Sequence, residues 1–139
     1  MHHISIDVET FSSIPIGKAG LYKYVQSPDF EILLFGYSLD GAPPVVIDLT
    51  QGEKIPVPIQ LALANPDCVK HAHNAAFEWY CLSKFRRMPE PAMLRWLSQW
   101  RDTMLHALYC GYPASLDAAG KALGLPEDKR KLTTGKALI

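Results

Sequence analysis

His3-Ile4-Ser5-Ile6-Asp7-Val8-Glu9-Thr10 is the stretch on which the rest of the chain depends. A β-strand sends successive side chains to opposite faces, so Ile4, Ile6 and Val8 point one way and Ser5, Asp7 and Glu9 the other. The hydrophobic set reads as the core face. The polar set brings two carboxylates onto one face at the strand's end. Two like charges so close repel, and burial alone would neutralise one of them. A divalent cation removes that cost, because hard cations favour carboxylate oxygens. The plainer reading is a half-buried strand with a solvated polar face.

Working outward, Phe11 to Gly17 has the composition of a loop, and Gly20 to Val25 reads as a short helical or extended piece. Gly17-Lys18-Ala19 lacks the spaced glycine and the following Ser or Thr of a phosphate loop. Phe30 to Leu39 and Val45 to Ile47, joined through Asp40-Gly41, read as an antiparallel hairpin. Pro58 to Ala64 is a short helix with proline in its first turn, and Cys68 to His73 a further strand. Asn74 then has the chemistry of an N-cap for a helix running to about Arg87. In that helix Glu78 shares a stripe with Cys81, Leu82 and Phe85 at i, i+3, i+4 and i+7. A glutamate in a first turn complements the helix dipole, but the dipole does not explain its place on an apolar stripe. A carboxylate facing inward needs a partner, and a cation shared with Asp7 and Glu9 would be one.

Downstream, Pro89 to Gln99 is helical, Trp100-Arg101 a short strand, and Asp102-Thr103 opens a helix through Tyr109. Ser115 caps a helix from Leu116 to Leu123 that Gly124 and Pro126 end. Glu127 to Lys131 is a solvated charge run, and Leu132, Ala137, Leu138 and Ile139 begin an apolar pattern that further chain would cover. Asp102 suits capping its helix better than a supporting role at an acidic site. His71 and His73 share a strand face, but no third His or Cys completes a zinc set, so structural roles are expected. His2 and His3 are assigned no role.

The 139 residues carry no formal net charge, are 48% hydrophobic and fit a single domain, residues 1–139. This balance argues against a protein that coats duplex nucleic acid, though not against a nuclease, whose acidic site offsets its basic groups. Cys68, Cys81 and Cys110 form no CxxC and read as buried thiols in a reducing compartment. No apolar run is long enough to span a membrane.

Asp7-Val8-Glu9-Thr10 resembles the first motif, D-x-E-T, of the DEDD superfamily of 3′–5′ exonucleases, and Asn74-Ala75-Ala76-Phe77-Glu78 its second, N-x-x-[FY]-D, with Glu in place of Asp. Asp102-Thr103-Met104 resembles a stretch of the proofreading domain of DNA polymerase I-type enzymes. Gly20 to Tyr24 through Phe35-Gly36-Tyr37 is similar to phage-type family A DNA polymerases. The resemblance implies an α/β domain of the ribonuclease H-like fold: strands one to three antiparallel, later strands parallel to the first, helices on both faces. It implies hydrolysis of the 3′-terminal phosphodiester of DNA with two divalent cations, Mg²⁺ or Mn²⁺. Asp7 would bridge both ions, Glu9 hold the nucleophile-side ion, and Glu78 anchor the second through water. Thr10, Phe11, Asn74 and Phe77 would meet a single-stranded 3′ end, the two aromatics by stacking, although core packing suits Phe77 better.

The third motif, Tyr-x-x-x-Asp or His-x-x-x-x-Asp, does not occur before Ile139. The resemblance therefore implies an exodeoxyribonuclease domain of a DNA-directed DNA polymerase, truncated and impaired. A polymerase module would follow it in the parent, in the cytoplasm of a bacterial or phage-infected cell; oligomeric state is left open. Two other classes stand beside it: a nucleic-acid-binding ribonuclease H-like domain that lacks turnover, and a plain interaction domain with a polar-faced strand.

Overall fold

The structure is a computed structural model and describes residues 2–127. It contains β1 (His2–Phe11), α1 (Ile16–Ala19), α2 (Leu21–Gln26), β2 (Glu31–Leu39), β3 (Val45–Asp48), a 3₁₀ turn (Leu49–Gln51), α3 (Val57–Ala64), β4 (Cys68–Ala72), α4 (Ala75–Phe85), α5 (Glu90–Leu97), β5 (Trp100–Asp102), α6 (Thr103–Tyr109) and α7 (Leu116–Ala122). The chain divides into two compact units, Met1–Asp102 and Thr103–Ile139. The apolar pattern at Leu132 to Ile139 lies outside the described residues, as does all but Glu127 of the charge run.

The first unit is built on a five-stranded mixed sheet in the order β3-β2-β1-β4-β5. β1 is antiparallel to β2 and β2 to β3, whereas β4 is parallel to β1 and β5 to β4. These are the pairings that the resemblance implies, and the β2–β3 hairpin among them is the one read from the residues themselves. The alternation of β1 decides its burial as expected: Ile4, Ile6 and Val8 are buried, while Ser5, Asp7 and Glu9 are exposed. Phe35, Cys68, Ala72, Trp79, Cys81, Leu82, Trp96 and Trp100 join those three in one core. Burial of this kind is worth roughly 1.5–3 kcal/mol per large side chain. Two indoles tie the helices to one another: Trp79 Nε1 donates to the Met93 carbonyl at 3.0 Å and Trp96 Nε1 to the Leu63 carbonyl at 3.1 Å. Helix α4 packs on the Ile4 face. The resemblance implies helices on both faces; within this unit, the described residues Ser5, Asp7 and Glu9 on the polar face of β1 are exposed.

Several local expectations are corrected. Ile16–Ala19 is a helical turn inside the stretch read as loop; at four residues between Pro15 and Gly20 it is too short for periodicity to reveal. Asn74 occupies the N-cap position of α4, but with φ 69° and without a side-chain cap bond. In that left-handed conformation its backbone N–H donates instead to Asp102 Oδ1 at 2.9 Å. His73 lies in the turn after β4 rather than on the strand. Cys110 is exposed, unlike Cys68 and Cys81, and Phe85, expected on the inner stripe of α4, is also exposed.

In the second unit, Ser115 caps α7 as expected, its Oγ accepting from the Ala118 N–H at 3.2 Å. Lys121 and Asp117 pair at 2.7 Å one turn apart. Gly124, at φ 70°, supplies the left-handed exit that only glycine adopts without strain.

Candidate acidic site at the end of β1

The parallel pairing of β1 with β4 runs only from His2 to Ser5. Beyond it, β1 continues alone on that side, and the first turn of α4 fills the space. Glu78 sits there, 3% exposed, beside the Val8 backbone. Burial raises its pKa to about 8, the like charges of Asp7 and Asp102 push the same way, and backbone N–H groups of Glu78 and Val8 oppose the shift. Its Oε2 is buried without any hydrogen-bond partner. A buried polar atom left unpaired costs about 1–3 kcal/mol, so such atoms need a reason to persist.

Asp7 is exposed on the open face of β1. Its partner across β2 is Gly36, so no side chain stands opposite the carboxylate. A Cβ there would lie 3.4 Å from the Asp7 carbonyl oxygen and 3.9 Å from its Cβ, within ordinary contact. The glycine therefore keeps room beside Asp7 rather than relieving strain. Glu9 lies two residues on along the same face. A bulge follows between Glu9 and Thr10, where the partner shifts from Leu34 to Ile32; bulges of this kind re-aim side chains.

The other expected contact residues divide. The bulge turns Thr10 toward α2, where its Oγ1 and the Tyr24 hydroxyl share a hydrogen bond of 2.8 Å. Phe77 is half-buried, with its ring 6.3 Å from that of Tyr24. Both therefore make contacts with Tyr24. Phe11 is 46% exposed at the strand's end and free to meet a ligand. Asn74 is exposed at the head of α4.

Asp102 belongs closer to the site than its sequence position suggested. It ends β5 opposite Ala72, holds the turn into α4 through Asn74, and is near enough to Glu78 to raise its pKa. The acids thus come from the carboxyl ends of β1 and β5 and from the head of α4, the edge at which open α/β sheets usually bind ligands. Asp7 and Glu78 are electrostatically coupled. Among the described residues, however, no three His, Cys, Asp or Glu side chains are gathered into a set ready to hold a metal ion. His71 pairs with His3 instead, Nδ1 of His3 lying 2.9 Å from Nε2 of His71, with the rings stacked at 5.2 Å.

No family model matches the chain. It is 47% identical over 140 aligned residues to a DNA polymerase of Bacillus phage SP02, an alignment that takes in the whole of this chain. The chain spans about a fifth of that relative's length, 20%. Among solved structures, one chain of a co-crystal of the yeast NOT1 MIF4G domain with CAF1 superposes with a TM-score of 0.63. The overlap covers 98% of this chain and 74% of that one at 15% identity, so it is a likeness of fold alone. No helix among the described residues is long and apolar enough to cross a membrane. The chain is thus similar over its full length to one part of a phage DNA polymerase.

Proposed function

We propose that this chain is the 3′–5′ exonuclease region of a phage-type DNA polymerase, with a ribonuclease H-like fold. The observation that carries the reading is the orphaned Oε2 of Glu78, buried beside β1 and coupled to Asp7. The whole-length similarity to a phage DNA polymerase and the antiparallel-then-parallel sheet support it.

The donor set fits hard divalent cations: Asp7, Glu9 and Glu78 offer only carboxylate oxygens, one of them without a partner. Mg²⁺ or Mn²⁺ held there would supply Lewis acidity at the scissile phosphate and an acidified water. The chain's own residues would do the remainder. Burial favours the protonated form of Glu78 at neutral pH; a cation held beside it would favour the ionised form instead. Gly36 leaves the approach to Asp7 open to a strand end. Phe11 offers the exposed ring for stacking on the terminal base. Asp102 fixes the head of α4, and with it Glu78, through the Asn74 N–H.

A second reading, binding of DNA ends without turnover, is favoured by one observation: the acids are not gathered into a three-ligand set among the described residues. One experiment separates the two. The chain is mixed with linear and circular single-stranded DNA, with and without Mn²⁺. Expected are metal-dependent binding of the linear strand and slow release of 5′-mononucleotides, both lost in Asp7→Asn. Binding without release selects the second reading. Binding indifferent to metal, to ends and to Asp7→Asn overturns both.

A further inference from the structure

Helix α4 turns 100° per residue, so Tyr80, Ser83 and Lys84 form a stripe roughly opposite that of Glu78, Cys81 and Leu82, and Arg87 follows in the turn after the helix. This second stripe faces a cavity of about 450 Å³, closed by Gln26 from the end of α2 and by Met88. That volume is within the range of small-molecule sites. The lining contains two cationic side chains and no carboxylate.

Ser83 is 2% exposed, and its hydroxyl has no hydrogen-bond partner. Neither Lys84 nor Arg87 belongs to an ion pair among the described residues. Lys84 Nζ makes only a long contact, 3.3 Å, to Gln26 Oε1. Arg87, at φ 52°, takes the left-handed position that ends α4, its N–H donating to the Lys84 carbonyl at 3.0 Å and the Met88 N–H to that of Ser83 at 2.9 Å. Basic residues late in a helix complement its dipole. That accounts for the two charges, but not for an empty buried hydroxyl between them and an apolar floor of Tyr80 and Met88.

We infer that this cavity binds a free nucleoside 5′-monophosphate. Lys84 and Arg87 are placed for the phosphate, Ser83 Oγ and the Gln26 amide for polar edges, and Tyr80 and Met88 for the flat face of a base. The choice of a nucleotide among heteroaromatic anions rests on the nuclease reading, whose product it would be; the cavity and its charge do not. The free form is specified because the stripe lies across α4 from Glu78. Lys84 is also roughly 9 Å further along the axis, so a strand held at Asp7 would have to wrap the helix to reach it.

The test is titration of the chain with deoxyadenosine 5′-monophosphate in EDTA, followed by amide NMR at Gln26 and Ser83. Without divalent ions no cation-dependent step contributes, so failure here leaves the exonuclease reading standing, and the reverse. Expected is saturable binding, weakened about tenfold or more by Lys84→Gln with Arg87→Gln, and about threefold by Ser83→Ala. Asp7→Asn should bind like the parent. The two cationic positions are exposed, and matched melting temperatures would establish that their variants fold. Four results overturn the inference: no saturation, unchanged affinity in the double variant, inorganic phosphate binding as tightly as the nucleotide, or displacement by a single-stranded oligonucleotide without terminal phosphates.

Discussion

Lys70 and Glu78 are both buried, at 0% and 3% exposure, and burial brings both to a pKa of about 8 from opposite directions. Their surroundings differ in one respect. Lys70 Nζ donates to the carbonyls of Asn65 at 2.7 Å and Cys68 at 2.8 Å and to Gln99 Oε1 at 2.6 Å. All three of its protons are used. Glu78 has an oxygen with no partner at all. The same desolvation has been completed by the protein in one place and left incomplete in the other. Lys70 therefore belongs to the fold, pinning β4 to the turns around it. Glu78 belongs to whatever binds beside β1.

The largest effect should come from breaking the completed member. Lys70→Met keeps much of the volume but takes a charged donor from three oxygens, of which the Asn65 carbonyl keeps a second donor, the Cys68 N–H at 3.2 Å. At about 1 kcal/mol or more for each lost partner, the variant should lose roughly 3–5 kcal/mol in urea unfolding. Glu78→Gln, tested alongside at pH 7, should gain stability instead, because it spares the fold the cost of keeping this carboxyl protonated there. If Lys70→Met were as stable as the parent, the distinction between a structural and a waiting group would collapse.

The next effect is on pH dependence, and its sign follows from the direction of the Glu78 shift. The folded chain holds this proton up to about pH 8, whereas the unfolded chain releases it near the ordinary value of 4.5. Between those values the native state binds more protons, so stability falls as pH rises. The slope approaches about 1.4 kcal/mol per pH unit for one fully affected group. Without metal, the parent should lose on the order of 3 kcal/mol between pH 5 and 7.5, and Glu78→Gln should escape that loss. The window ends below the pH at which Lys70 titrates, so the two groups do not mask each other. Parallel curves for parent and variant would mean that the carboxyl is not desolvated.

Why one of these groups was legible in the sequence and the other was not is a matter of period. Glu78 stood out because it broke an apolar stripe at helical spacing. Lys70 sits between Cys68 and Ala72 on a strand, and strict alternation places it inward with them; the signal existed, but a lysine is rarely read as buried. β1 was legible for the same reason, since three β-branched residues alternate with three polar ones. The strand pairings also agree with the resemblance-based expectation. The bulge after Glu9 leaves no mark in the composition, so the hydrogen bond between Thr10 and Tyr24 is not legible there. Asp102 reads as a helix cap because Asp is common there, whereas its bond to the Asn74 N–H comes from tertiary pairing and has no mark in the sequence.

Supplying the missing partner should sharpen the contrast from the other side. At pH 7.5, Mn²⁺ at about a hundred times its dissociation constant should stabilise the parent by roughly 2–3 kcal/mol. It should also flatten the pH slope, since the cation favours the ionised Glu78. Asp7→Asn and Glu78→Gln should each remove most of the gain, and Lys70 variants should keep it. A gain of equal size in Asp7→Asn would put the cation elsewhere and leave the Glu78 oxygen unexplained.

The smallest effect tests whether the head of α4 is held by its own cap or from β5. A working Asn cap is worth about 1 kcal/mol over alanine and only a few tenths over glycine. Asn74 makes no such bond and sits at φ 69°, a conformation glycine adopts freely. Asn74→Gly should therefore leave the melting temperature level or raise it slightly, by less than about 1 kcal/mol in free energy. Asp102→Asn, which keeps an acceptor for the Asn74 N–H but weakens it, should cost about as much in the opposite direction. It should also lower the pKa of Glu78, because one of the like charges raising it is gone. If Asn74→Gly proved the more damaging of the two, the side chain would be restraining the helix after all. Glu78 would then owe its position to α4 alone, and Asp102 would drop out of the site.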